Sequence, residues 1–368
     1  SIIKADNFRE FLKKFWFYFL GCVLIGLVAL VLLWLVYLFH VWNYPPELQV
    51  RDTKFILNSF GIEPVKQLTI WMADKPVFRP FAQYMLGLLM VFQRTSGGNT
   101  GYFFGEISAA GWKGYFPFVY LAKEPLSFIF LLLFSIIFGL WLLIKKPLSG
   151  NLKYRIHSWL KNHFAEFAML LFVFIYWTTS LKSNLNIGVR HLLPVFPFTI
   201  SLVAYAITNL IEKPKFERMK KIILAGLLVW QAVSVLMVFP SFLSYFNESI
   251  GTANGYKYVV DSNYDWGQDL RRLSIWAEKN NVNIIYVDYF GGGNPQYYLG
   301  NKFQGWWGNR NPNELPKGSY LAVSATFLQG GQGTPRAGFN EPTGYYHWLK
   351  SYTPVARIGY SIFVYKIQ

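Results

Sequence analysis

Five continuously apolar runs, divided by short basic segments or longer mixed stretches, organise the first two thirds of the chain. They fall at about 15–39, 125–144, 164–181, 191–211 and 222–239, each close to the ~20 residues that a helix needs to cross ~30 Å of hydrocarbon. Because the runs are apolar throughout and do not alternate, each is predicted as a helix; a lone strand would leave its backbone unpaired in lipid. A shorter patch, Pro80–Phe92 (PFAQYMLGLLMVF), is more interrupted. It reads as an interfacial or re-entrant helix, with a sixth span as the competing reading.

Beyond Pro240 the pattern shifts to Gly, Asn, Asp and Tyr with short alternating segments. Asp265–Asn281 (DWGQDLRRLSIWAEKNN) places Leu270, Leu273, Ile275 and Trp276 toward a core and offers Asp265 as N-cap, so it is predicted as an amphipathic helix. Val282–Phe290, Ser319–Leu328 and Ala356–Ile367 are predicted strands, the last as a hairpin turning near Gly359. The expected architecture is an α-helical polytopic membrane region over 1–239, with a long external loop at 40–124, followed by a small extracytoplasmic α/β domain over 240–368.

Composition agrees with a membrane reading. The chain is 53% hydrophobic and only 15% charged, too apolar for an ordinary soluble domain. A formal charge of +16 would suggest nucleic acid in a soluble protein, but here the cations gather between apolar runs, which is a topology signal and argues against a nucleic-acid partner. Lys4, Arg9, Lys13 and Lys14 precede the first run; Lys145, Lys146, Lys153, Arg155 and Lys161 separate the second and third; Lys213, Lys215, Arg218, Lys220 and Lys221 separate the fourth and fifth. The positive-inside bias makes all three segments cytoplasmic, with the N-terminus, and turns 40–124, 182–190 and everything after Pro240 outward. The first run is too long for a signal-peptide h-region, and the single cysteine, Cys22, excludes an intrachain disulfide.

Within the outward loops, Lys182, Arg190 and His191 gather at the edge of the fourth run, where the charge bias disfavours cations. A lipid-linked phosphate would explain them: Arg offers a planar fork of donors, Lys a point charge, His a further donor. Snorkelling to headgroup phosphates is the plainer explanation, and spacing alone leaves both open. Pro194 and Pro197 loosen the same helix near its outer end. Glu106, among aromatics and glycines in Gly101–Pro117, is a candidate base, acceptor-orienting group or ligand for a divalent cation, or simply a solvated loop acid that Lys113 and Lys123 would neutralise. Asp265 and Asp269, four apart, suggest either a cation site or a solvated first helical turn. Phe290–Pro295 (FGGGNP) lacks the spacing of a phosphate loop and reads as a turn, and the histidines show no metal-ligand spacing.

Three stretches, GYFFGEISAAGWKGYFPFVYLAKEPL, SLKSNLNIGVRHLLPVFPF and YFNESIGTANGYKYVVDSNYDWGQDLRRL, resemble in order and spacing the C-terminal half of the bacterial family 39-type membrane glycosyltransferases, related to protein O-mannosyltransferases and aminoarabinose lipid A transferases. The resemblance implies a C-type glycosyltransferase bundle in the cell's inner or plasma membrane, with an outward active site. It implies a polyprenyl-phosphate-linked sugar donor, a protein, lipid or glycan acceptor, and inversion at the anomeric carbon. Arg190 and His191, with Lys182 as a weaker companion, match the basic motif that would hold the donor phosphate, and Glu106 becomes a secondary polar group. The family's acidic catalytic motif in its first external loop has no counterpart here. With the start at Ser1, this leads to the expectation that an N-terminal half carrying the principal base lies outside the 368 residues. The competing expectation is a non-catalytic membrane protein that binds a lipid carrier or glycan through its outer domain.

Overall fold

A computed structural model describes residues 8–145 and 152–368. Lys4 and Lys146, two of the cations used for orientation, lie outside the described residues. The chain divides into two compact units, Ser1–Gly97 with Leu148–Phe167, and Gly98–Pro147 with Ala168–Gln368.

The first unit opens with the long helix α1 (Phe8–Val41) and continues through α2 (Pro46–Ile56), α3 (Glu63–Asp74) and α4 (Arg79–Gly97). The patch at Pro80–Phe92 is thus the body of α4, and it is not among the helices long and apolar enough to cross a membrane. Its inner face carries Ala82, Leu86 and Leu89, the latter two packing with Leu57. Arg79 anchors its start, donating to Gln49 Oε1 at 2.8 Å and to the Tyr44 carbonyl, which satisfies backbone oxygens freed at the end of α1.

The second unit begins with the hairpin β1 (Gly101–Phe103) and β2 (Glu106–Ser108), then α5 (Tyr115–Lys123) and α6 (Leu126–Lys145). After α7 (Leu152–Asn162), which belongs to the first unit, α8 (Phe164–Leu181) leads to a short 3-10 helix, Val189–Val195, that runs into α9 (Phe196–Ile211), followed by α10 (Glu217–Leu236). Among the described residues four helices are long and apolar enough to cross a membrane: Phe8–Val41, Phe164–Leu181, Val189–Ile211 and Glu217–Leu236. A fifth forms if α5 and α6, bent by 115° at their junction, count as one broken span. These match the five predicted runs. They expose large apolar side chains, such as Ile25 at 70% and Ile137 at 63%, as helices compatible with a lipid surround do.

The bend between α5 and α6 has a local cause. Pro125 lacks an N–H and holds Glu124 extended (φ −85°, ψ 141°), so the carbonyls ending α5 lose their helical partners. Asn247 replaces them: its Nδ2 donates to Leu121 O at 2.6 Å and Glu124 O at 2.8 Å, and its backbone N–H to Ala122 O at 2.9 Å. Asn247, the first residue of an Asn-Glu-Ser triplet, is fully buried, with its amide engaged.

Distally come α11 (Leu270–Lys279), β3 (Ile285–Asp288), α12 (Pro295–Leu299), β4 (Phe303–Gly305), β5 (Tyr320–Ser324), α13 (Ala325–Gln332), β6 (Thr334–Pro335), β7 (Ala356–Ile358) and β8 (Ile362–Lys366). Five strands form one sheet in the order β4-β3-β5-β8-β7, parallel through β4-β3-β5 and antiparallel from β5 onward. Leu270, Leu273 and Ala277 of α11 pack with Ile285, Val287 and Val364 of the sheet. The predicted hairpin turns at Gly359 (φ +56°), as expected. β3 is shorter at both ends than the predicted Val282–Phe290, and two larger boundary shifts have local causes. The helix starts at Leu270 and not at Asp265, because the Asp265 carboxylate accepts from Gly267 N, and Gly267 takes φ +81°, which interrupts a helix. The strand predicted to Leu328 stops at Ser324, whose Oγ accepts from Phe290 N, and the chain turns into α13.

The largest core of this unit joins residues from both sides of Pro240: Ile107, Tyr115, Phe116, Val119 and Leu192 are buried together with Tyr264, Trp306, Leu321 and Phe363. β2 also pairs in parallel with β6, Glu106 opposite Thr334.

Candidate functional site

The three stretches that carry the resemblance meet around the start of the 3-10 helix. Asn263 is the junction. Fully buried, it accepts from Val189 N at 2.8 Å through Oδ1, donates from Nδ2 to the Tyr115 hydroxyl at 2.7 Å, and offers its carbonyl to Lys123 Nζ at 2.7 Å. Gly188 lies so close to the same turn that a Cβ there would fall 2.1 Å from Ser262 Oγ, so only glycine fits. Asn186, also buried, accepts from Trp112 N at 2.5 Å and ties the loop after β2 to the segment leading to Arg190.

Held on this frame, the Arg190 side chain is exposed, and its guanidinium carbon lies 4.5 Å from the centroid of the Trp266 ring. Stacking orients the planar fork at little entropic cost. Among the described residues the Arg190 guanidinium makes no hydrogen bond or ion pair, which leaves its donors open to a ligand. His191 is half-buried beside it, and its carbonyl accepts from the Tyr176 hydroxyl at 2.7 Å. Lys182 is exposed just past the end of α8, and no hydrogen bond, ion pair or ring contact links it to Arg190 among the described residues. Tyr115 lies within electrostatic reach of both Arg190 and Asp261.

Glu106 sits at the exposed edge of β2. Its carboxylate accepts from the Trp112 indole at 2.9 Å and lies 3.6 Å from Arg336, so it reaches the Arg190 segment indirectly, through Trp112 and Asn186. The neutralising partner is Arg336, where Lys113 and Lys123 had been expected. Lys123 is drawn away by the carbonyls of Leu243 and Asn263 and by the Phe246 ring.

Asp265 and Asp269 form neither a solvated helical turn nor a cation pair. Both are fully buried. Asp265 accepts from Thr326 N at 3.2 Å and Gly267 N at 3.3 Å; Asp269 accepts from Tyr360 N, Ser361 N and Ser361 Oγ, and pairs with Arg272 at 2.6 Å. Among the described residues no group of three or more His, Cys, Asp or Glu side chains could hold a metal ion. Trp266, Asn263, Asn186 and Tyr115 were not singled out as site residues from the sequence. The available signal was their position inside the three quoted stretches.

Two buried acids give this unit an unusual pH response. Burial pushes Asp265 up to about 7 against the hydrogen bonds from Thr326 and Gly267, and Asp288 up to about 6 against the one from the Tyr346 hydroxyl. An acid that holds its proton more tightly in the folded than in the unfolded chain adds stability when protonated, and that contribution is lost as pH rises through the folded value. The thermal midpoint of the chain in detergent is therefore expected to rise as pH is lowered from about 8 to about 5. A falling midpoint over that window would contradict the assignment.

No protein-family model, curated protein or solved structure matches this chain.

Proposed function

We propose that the chain supplies the donor-phosphate side of a membrane glycosyltransferase, which moves a sugar from a polyprenyl-phosphate carrier to an acceptor at the outer membrane face. The observation that carries this is Arg190: exposed, unpaired among the described residues, stacked on Trp266, and located where a helix with apolar flanks begins. A guanidinium held in this way has its strongest use on a phosphate. As the bond between the anomeric carbon and the phosphate oxygen breaks, the electron pair leaves with the phosphate, and Arg190 stabilises the growing charge. His191, whose Nε2 is buried, supports the turn that presents Arg190, and Lys182 raises the local potential. Glu106 orients polar groups on the far side of Trp112.

The direct test compares a polyprenyl phosphate with the corresponding uncharged polyprenol as ligands for the protein in nanodiscs. Binding is expected for the phosphate and not for the alcohol; equal binding of the two would overturn the reading. A non-catalytic role, with the same site binding a carrier or glycan, draws on the engagement of Glu106 with Trp112 and Arg336. Phosphate-dependent binding without sugar transfer would favour it.

A further inference from the structure

We infer that a groove lined in part by Trp266 binds a saccharide. It encloses about 400 Å³ and is lined by Trp266, Arg271, Tyr289, Gly292, Gly293 and Tyr298 among others, a size within the roughly 300–1,000 Å³ of small-molecule sites. Its chemistry is that of a pyranose: apolar C–H faces that lie on aromatic rings, and hydroxyls that need donors and acceptors at the rim. Trp266 is 48% exposed and Tyr298 40% exposed, so both rings are available to a ligand. Tyr289 in the same lining is fixed, its hydroxyl donating to Gly267 O at 2.9 Å.

The donor at the rim is Arg271. It is exposed and, among the described residues, makes no hydrogen bond or ion pair, whereas its neighbour Arg272 is spent on Asp269 and Ser241. A guanidinium fork spans two adjacent hydroxyls as readily as two carboxylate oxygens. Glycines supply part of the lining. Gly292 has nothing within 4 Å of where a Cβ would stand, so the glycine loop leaves room for a ligand beside it. The loop lacks the residues of a phosphate cradle, which separates this groove from a nucleotide site.

Trp266 is also the ring under Arg190, so the saccharide would lie next to the proposed donor phosphate. Its role as acceptor rests on the reading of Arg190 given above. The binding of a saccharide does not.

The test uses the full chain in a sugar-free amine-oxide detergent, with maltotriose, cellotriose, chitotriose and mannotriose as probes at millimolar concentration, followed by saturation-transfer NMR. At least one probe is expected to bind. Arg271→Ala should weaken it about tenfold, the loss of a charged hydrogen bond. Gly292→Leu, whose side chain projects into open space, should abolish it. Both variants should bind polyprenyl phosphate as the unmodified chain does. If no probe binds, or binding survives both substitutions, the groove is not a saccharide site. If a probe binds in this groove but polyprenyl phosphate does not bind at all, the saccharide site stands and the donor reading falls.

Discussion

Replacing Arg190 by alanine is expected to lower sugar transfer from a polyprenyl-phosphate donor by about 100-fold or more, the range seen when one preorganised donor to developing charge is removed. The fold should survive, because the side chain is exposed and its one described contact is the stack on Trp266. A thermal midpoint close to that of the unmodified chain would show this. Arg190→Lys is the sharper comparison. Lysine keeps the charge but lacks the planar fork and stacks poorly, so partial activity is expected, between alanine and arginine. If the alanine variant transfers sugar at the normal rate in membranes, Arg190 is a headgroup anchor and nothing more.

The largest loss of stability is expected at Asp269. This carboxylate is fully buried and organises the turn between β7 and β8, accepting from two backbone amides and the Ser361 hydroxyl while paired with Arg272. Asp269→Ala would leave the Tyr360 and Ser361 amides and the Ser361 hydroxyl without their buried acceptor, while Arg272, 34% exposed, keeps Ser241, at a total cost of about 3–5 kcal/mol. In a unit of this size that corresponds to a fall in thermal midpoint of roughly 10 °C. Gly359 belongs to the same arrangement: a Cβ there would sit 2.2 Å from the Asp269 carboxylate, and its φ is +56°. Limited proteolysis should open first at this turn in the variant. A shift below about 1 kcal/mol would mean that water replaces the carboxylate and that the turn is held by the sheet alone.

Where local chemistry decided the structure, the sequence was readable. The apolar runs appear as helices because hydrophobic length and continuity are properties of neighbouring residues, and the hairpin at Gly359 was legible because only glycine enters φ +56° freely. Arg190 was marked by being a cation in the wrong place for the charge bias. What escaped was everything set by distant partners. Asp265 and Asp269 look like a helix N-terminus from their spacing, yet Thr326 and Ser361, some sixty and ninety positions on, take their carboxylates into the core. Trp266 shows no sign in the sequence that Arg190 will lie on its ring. The union of Ile107 and Tyr115 with Tyr264 and Phe363 in one core could not be foreseen from composition, which changes sharply at Pro240 while the packing does not.

Asn247 bears on how the chain matures. Its side-chain nitrogen already serves the carbonyls of Leu121 and Glu124 at the bend, and the residue is wholly enclosed. A glycan on that nitrogen and a closed bend are therefore mutually exclusive states. A host that attaches sugars to Asn-X-Ser triplets would mark only chains in which the bend has not yet formed, and the mark would then keep it from forming.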